Sequence, residues 1–169
     1  RDVLLGLRFG LDLYINLRPV QLLSEKLCPI KGKTRRDVNF WVLRENTEGP
    51  YVQMGGSFKR DTPDEVAISE DLNTRKGVER IIAAAYALAN VPHGSSHSTP
   101  RVCMVDKANA LPHAHGLWQR TFKAVAATHP SVQSSHLFVD VAAMEFVRTP
   151  ERFDVVVTSN LFGDILTDL

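Results

Sequence analysis

The stretch FDVVVTSNLFGDILTDL, residues 153–169, decides how the rest of the chain is read. Val155, Val156 and Val157 follow one another with no polar alternation, so the segment is read as a strand buried on both faces. The run breaks into Thr158, Ser159 and Asn160. If a helix begins near Asn160, then Asp164 and Asp168, four positions apart, share one of its faces. Like charges at that spacing cost a helix a few tenths of a kcal/mol unless a cation lies between them. Mg²⁺ or Mn²⁺ suits such hard oxygen donors, with Asp140 as a candidate third carboxylate. A solvated acidic helix face explains the spacing equally well.

Three more short apolar runs precede this one: DVNFWVLR (37–44), RVCMVDK (101–107) and HLFVD (136–140). Helical spacing of apolar residues marks 76–89 and 116–127. Strand and helix therefore alternate, the pattern of an α/β protein with at least a partly parallel sheet. Residues 4–15 read as a further helix that stops before Pro19, whose ring pushes Arg18 toward an extended conformation. The turn-rich VPHGSSHSTP (91–100) is a loop, and the long glycine-bearing segment 49–65 has the makings of a β-hairpin arm that packs on a partner.

With 169 residues, 44% hydrophobic and 23% charged, the chain has the composition to bury one substantial core. No stretch reaches the length of a membrane span, and the opening RDVLLGLRFG carries no signal-peptide pattern. Twenty basic against nineteen acidic residues, net +1, exclude recruitment of nucleic acid or a membrane by bulk charge. Cys28 and Cys103 fit a reducing, cytoplasmic setting better than a disulfide framework. A zinc site built on His93, His97, His113 and His115 is disfavoured, because they are read as loop histidines with no cysteine pairs at structural zinc spacing.

Each apolar run ends in polar or ionisable residues: Arg44, Lys107, Asp140, and Asn160 with Asp164 beyond it. Ligands of open α/β sheets bind outside the carboxyl ends of the strands, which gives these residues a reason to converge. The plainer explanation, that charged residues mark where strands leave the core, stays open at this point.

Five segments decide between them: LRFGLDLYINLRP (7–19), RENTEGPY (44–51), DKAN (106–109), VDVAAM (139–144) and DVVVTSNLFGDILTDL (154–169). Together, and in order along nearly the whole chain, they resemble the β-decarboxylating dehydrogenase family, which acts on isopropylmalate, isocitrate, homoisocitrate and tartrate or malate. The resemblance implies an isopropylmalate/isocitrate dehydrogenase-like α/β fold, of which this chain is expected to be a central fragment with a mixed sheet and flanking helices. Residues 1–18 would end a cofactor-side domain, 19–150 would form the substrate and dimerisation domain with its arm near 49–65, and 151–169 would return as a strand and metal-binding helix. The family's GDGIGPE-like segment and GSAPDIAGKG-like adenosine loop do not occur in these residues.

The resemblance also implies roles. Arg8, Arg18 and Arg44 match the arginines that hold substrate carboxylates, a task suited to the guanidinium fork. Tyr51 matches the proton donor and Lys107 the lysine that deprotonates the substrate hydroxyl. Asp140, Asp164 and Asp168 match the Mg²⁺ or Mn²⁺ ligands, with Asp140 also against substrate, and Asn109 matches a residue beside the nicotinamide of NAD. Lys107 and Asp140 would reach the site from the second subunit of a homodimer. Leu4 and Leu5 match the pocket for an isopropyl group, so the expected substrate is 3-isopropylmalate, with malate or tartrate as the alternative because RENTEG also resembles those enzymes. A dimerisation and substrate-binding module that does not turn over is the reading from a different class.

Overall fold

The computed structural model describes residues 2–91 and 97–169. In chain order the elements are α1 (Asp2–Gly10), β1 (Ile15–Gln21), β2 (Asn39–Glu45), β3 (Gly55–Phe58), β4 (Val66–Ser69), α2 (Arg75–Ala89), β5 (Arg101–Asp106), α3 (Ala114–Ala127), β6 (Gln133–Phe138), α4 (Val139–Arg148), β7 (Val155–Thr158) and α5 (Asn160–Leu166). Five strands form one sheet in the order β1-β2-β7-β5-β6. Only the β1–β2 pair is antiparallel; β2, β7, β5 and β6 run parallel.

The valine run is the sheet's central strand, and the reason it lacks alternation is visible in its two faces. Val155 and Val157 pack with Val102, Met104 and Leu43 beneath α2 and α3, while Val156 packs with Cys103, Val105 and Val42 toward α4 and α5. Each such side chain, taken out of water, is worth about 1.5–3 kcal/mol. On the first face α2 offers Val78, Ile81, Ile82, Ala85, Tyr86 and Ala89, the spacing of one helical stripe. Its start is capped by Thr74, whose Oγ1 accepts the Gly77 N–H at 2.9 Å. On the second face Phe40, Phe146 and Phe153 pack ring to ring at 4.9–5.6 Å.

Several expectations change in the folded chain. The helix expected over 4–15 stops at Gly10, and Ile15–Gln21 is an edge strand. Asp12 at φ 49° turns the backbone between them. Pro19 is tolerated in β1 because an edge strand has one side free of ladder hydrogen bonds. Strand β6 starts three residues earlier than the expected 136, with polar Gln133, Ser134 and Ser135 suited to the opposite, exposed edge. Asp140 is therefore not at a strand end; it lies in the first turn of α4, where the helix dipole favours a carboxylate. Asn160 likewise opens α5 rather than closing β7.

The long glycine-bearing segment does form a hairpin, β3 with β4, reaching Ser69. Gly55, at φ 147°, lies so close to β4 that a Cβ there would meet the Ile68 carbonyl. Phe58, Val66 and Ile68 on this hairpin are exposed. His115 is not a loop residue but a buried one in α3, while His93 falls outside the described residues. Among the described residues no helix is long and apolar enough to cross a membrane, and Cys28 and Cys103 are not joined to each other.

Candidate active site

Strand register sets the site. Arg44 lies opposite Thr158, and Thr158 opposite Val105, so the C-terminal ends of β2, β7 and β5 are level. From the first of these ends Arg44 projects inward and is 2% exposed. Its Nε donates to Asn160 Oδ1 at 2.9 Å, and its Nη1 pairs with Asp164 Oδ1. The same carboxylate oxygen receives Arg18 Nη2 at 3.1 Å, and Arg18 also donates to Thr167 Oγ1. Tyr51, carried on the short 3₁₀ turn Pro50–Val52, donates its hydroxyl to Asp164 Oδ2 at 2.5 Å. Guanidinium carbons of Arg44 and Arg8 lie 5.1 and 5.9 Å from the Tyr51 ring centroid.

Two glycines make this closeness achievable. A Cβ on Gly163 would come within 2.6 Å of both Cβ and Cγ of Arg44, so α5 seats directly on β2 only because position 163 has no side chain. Gly49 takes φ 76° just ahead of the Tyr51 turn. Asn160 then locks the turn to the helix, its Nδ2 donating to the Glu48 carbonyl at 2.9 Å.

These groups border a cleft of about 560 Å³ lined by Leu4, Leu5, Arg8, Arg18, Arg44, Tyr51 and Asp164, with Pro50, Gln53 and Leu161 completing the wall. Three guanidiniums face one carboxylate there, so the cleft is cationic. Among the described residues Arg8 Nη1 is buried without a hydrogen-bond partner, which leaves a donor for an incoming anion. The leucines form an apolar wall beside it.

Burial lowers the Arg44 pKa from its ordinary value, opposed by Asp164. At Asp164 burial works to raise the pKa, yet the Tyr51 hydroxyl, Arg44 and Arg18 together hold it below the usual carboxylate range. Burial and the bond to Asp164 push the Tyr51 phenol up, so it stays protonated and able to donate. Because the Asp164 pKa is lowered on folding, its stabilising contribution is complete above the unfolded value near 3.8 and is lost as pH falls through the lower folded value. In urea titrations the difference in midpoint between wild type and Asp164→Asn should therefore hold constant above about pH 5 and shrink in more acidic buffer. A difference that grows on acidification would contradict this.

Lys107 and Asp140 form a second group. Lys107 Nζ lies 2.6 Å from Asp140 Oδ1, with Phe138 beneath the amine at 5.8 Å. That bond is the main cause of a lowered Asp140 pKa. Neither residue lines the arginine cleft. Asn109 sits in an exposed turn after β5. Asp168 is exposed and lies beyond α5, which ends at Leu166, so the helix does not carry Asp164 and Asp168 together on one face. Thr167 ends it by turning its hydroxyl back to the Gly163 carbonyl at 2.8 Å.

Among the described residues no three His, Cys, Asp or Glu converge on a metal position. Asp164 and Asp168 are hard oxygen donors of the type Mg²⁺ or Mn²⁺ takes, but here both Asp164 oxygens are engaged by Arg44, Arg18 and Tyr51. Residues that carried no sequence signal include Gln53, held at φ 59°, and Thr167. Asn160 was visible as a polar residue after the valine run, but not its double hydrogen bonding.

The family model described as isocitrate/isopropylmalate dehydrogenase matches residues 1–169. A 3-isopropylmalate dehydrogenase of Thermobifida fusca is 46% identical over all of this chain and 46% of its own length. One of Streptomyces griseus is 48% identical over all of this chain and 47% of its own. Among solved structures, the isocitrate dehydrogenase of Methylococcus capsulatus superposes with a TM-score of 0.84 at 38% identity, covering 99% of this chain and 47% of that one. The chain thus spans about half the length of the curated relatives it matches.

Proposed function

From the premise that this chain belongs to the isocitrate/isopropylmalate dehydrogenase family, we propose that the protein carrying it oxidises and decarboxylates 3-isopropylmalate to 2-oxoisocaproate, a step of leucine biosynthesis. NAD⁺ is the hydride acceptor, and the setting is cytoplasmic. The observation that carries this reading is the cleft itself, where a cationic wall, with an Arg8 donor that has no partner among the described residues, faces an apolar wall of leucines. That combination suits a 2-hydroxy dicarboxylate bearing an aliphatic substituent.

In this reading Arg8, Arg18 and Arg44 hold and orient the substrate carboxylates, while Leu4 and Leu5 take the isopropyl group. Asp164 and Asp168 would hold Mg²⁺ or Mn²⁺ together with Asp140 of a second copy, and the ion would supply Lewis-acid stabilisation of negative charge on the substrate oxygen. Tyr51 keeps its proton and delivers it to the carbon that has lost carbon dioxide. Lys107, acting as the neutral amine once it has left Asp140, receives the hydroxyl proton and becomes the ammonium. Asn109 stands beside the nicotinamide. The exposed apolar hairpin packs on the second copy, whose Lys107 and Asp140 complete the site of the first.

The direct test is NADH formation by the whole protein with Mg²⁺ and 3-isopropylmalate, malate, tartrate or isocitrate. Preference for 3-isopropylmalate supports the proposal, and preference for malate or tartrate moves it to that branch. A Leu4→Ala, Leu5→Ala double variant should lose roughly 10–200-fold in kcat/KM on 3-isopropylmalate, the worth of about 1–3 kcal/mol of apolar contact, and far less on malate. Equal losses on both would remove the leucines from substrate selection. Mixing inactive Lys107→Ala and Asp164→Ala proteins under subunit exchange should restore activity, because some heterodimers then contain one intact shared site. No recovery would sink the two-subunit arrangement.

A further inference from the structure

We propose that His115 is a positioning residue that fixes the loop bearing Lys107 and ties it to the hairpin base through Asp71. The inference rests on the role given above to Lys107. His115 stands in the first turn of α3 and is 1% exposed. Its Nδ1 accepts the main-chain N–H of Lys107 at 3.0 Å. An accepting Nδ1 carries no proton, so the ring proton is on Nε2, which faces Asp71 Oδ2 at 3.3 Å. Asp71 follows β4 by two residues. On its faces the ring meets Phe162, 5.1 Å away on α5 and two residues before Asp164, and Trp118 at 6.5 Å, nearly parallel.

One imidazole therefore touches the Lys107 loop, the hairpin base and the helix bearing Asp164. A cavity of about 140 Å³ borders it, lined in part by Asp71, Leu111, Ser159 and Phe162. Packing alone leaves the ring room to shift; the two polar contacts are what set its place. The lysine turn has further main-chain bonds of its own, Ala110 N–H and Leu111 N–H to the Lys107 carbonyl at 3.0 and 2.8 Å. His115 holds the amide on the other side of that residue. A core histidine with no such role would, when replaced, cost stability and leave the lysine's chemistry intact.

The test uses two variants of the whole protein. His115→Phe keeps a ring among Phe162 and Trp118 but accepts nothing from Lys107, whereas His115→Asn keeps an acceptor where Nδ1 was. We expect the Phe variant to lose about 10–100-fold in kcat with KM for 3-isopropylmalate changed less than about twofold, because the arginine cleft is untouched. The Asn variant should recover most of the lost kcat. Amide hydrogen exchange at Lys107 should be faster in the Phe variant than in wild type or the Asn variant. A parallel rise in KM, or Phe and Asn variants alike in both kcat and exchange, would overturn the proposal. If wild type forms no NADH from 3-isopropylmalate, the functional reading fails, and the exchange comparison still decides whether His115 holds Lys107.

Discussion

Arg44→Ala should reduce kcat/KM by about a thousandfold or more, the largest single loss at this site. The side chain is 2% exposed and bonds Asn160 and Asp164 at once. Asp164 is 38% exposed and keeps Arg18 and Tyr51, so the loss falls on the substrate: truncating one partner of a hydrogen-bonded charge pair at a binding site costs about 2–5 kcal/mol, and each 1.4 kcal/mol is tenfold in rate or affinity. Substrate loses a carboxylate ligand in the same stroke. Arg44→Lys should recover little, since an ammonium cannot span Asn160 and Asp164 with the fixed geometry of a guanidinium. Steady-state kinetics of both variants check this, with thermal melting to separate loss of function from loss of fold. A lysine variant within about tenfold of wild type would show that charge alone is needed and that the fork geometry is not.

Gly163→Ala should be the next most damaging change although it adds a single methyl group. Its new Cβ would press within 2.6 Å of the first two side-chain carbons of Arg44 and 3.2 Å of its Cα, atoms anchored in the buried strand β2. They have little room to yield. Overpacking of this kind costs about 1–3 kcal/mol, against which alanine's better helix propensity returns at most about 1 kcal/mol. The larger consequence is displacement of α5, because Asp164 is the next residue and a misplacement of about 1 Å can cost 10²-fold in rate. Chemical denaturation and kinetics on the same sample should show a modest fall in stability beside a far greater fall in kcat/KM. Stability lost with kinetics intact would mean that α5 adjusts without moving Asp164.

The strands around the valine run, the two helices of one sheet face and the hairpin were legible because apolar period and glycine placement are local signals. The strand Ile15–Gln21 was missed because Ile15 fitted the helical spacing read over 4–15 and Pro19 marked the following residues as a helix end, and its identity as a strand comes from pairing with β2. Helix α4 was missed for a related reason: its first residues continue the apolar run of β6 without a break. His115 looked like one of several polar loop histidines, and nothing in LPHAHGLW says which of its two is buried against Phe162 and Trp118.

By itself the sequence determined the alternation of strand and helix, the buried central strand, and which side chains have the chemistry to hold carboxylates or a hard cation. Tertiary structure alone decided their company. Arg18 and Arg44 meet Asp164 across 146 and 120 residues of chain, whereas Lys107 and Asp140 pair outside that cleft. It also ended α5 before Asp168. The physical reason is that a carboxylate's neighbours depend on strand register and on how closely a helix can approach a sheet. At this site that approach is permitted by the missing side chain of Gly163, whose effect appears only once Arg44 lies beneath it.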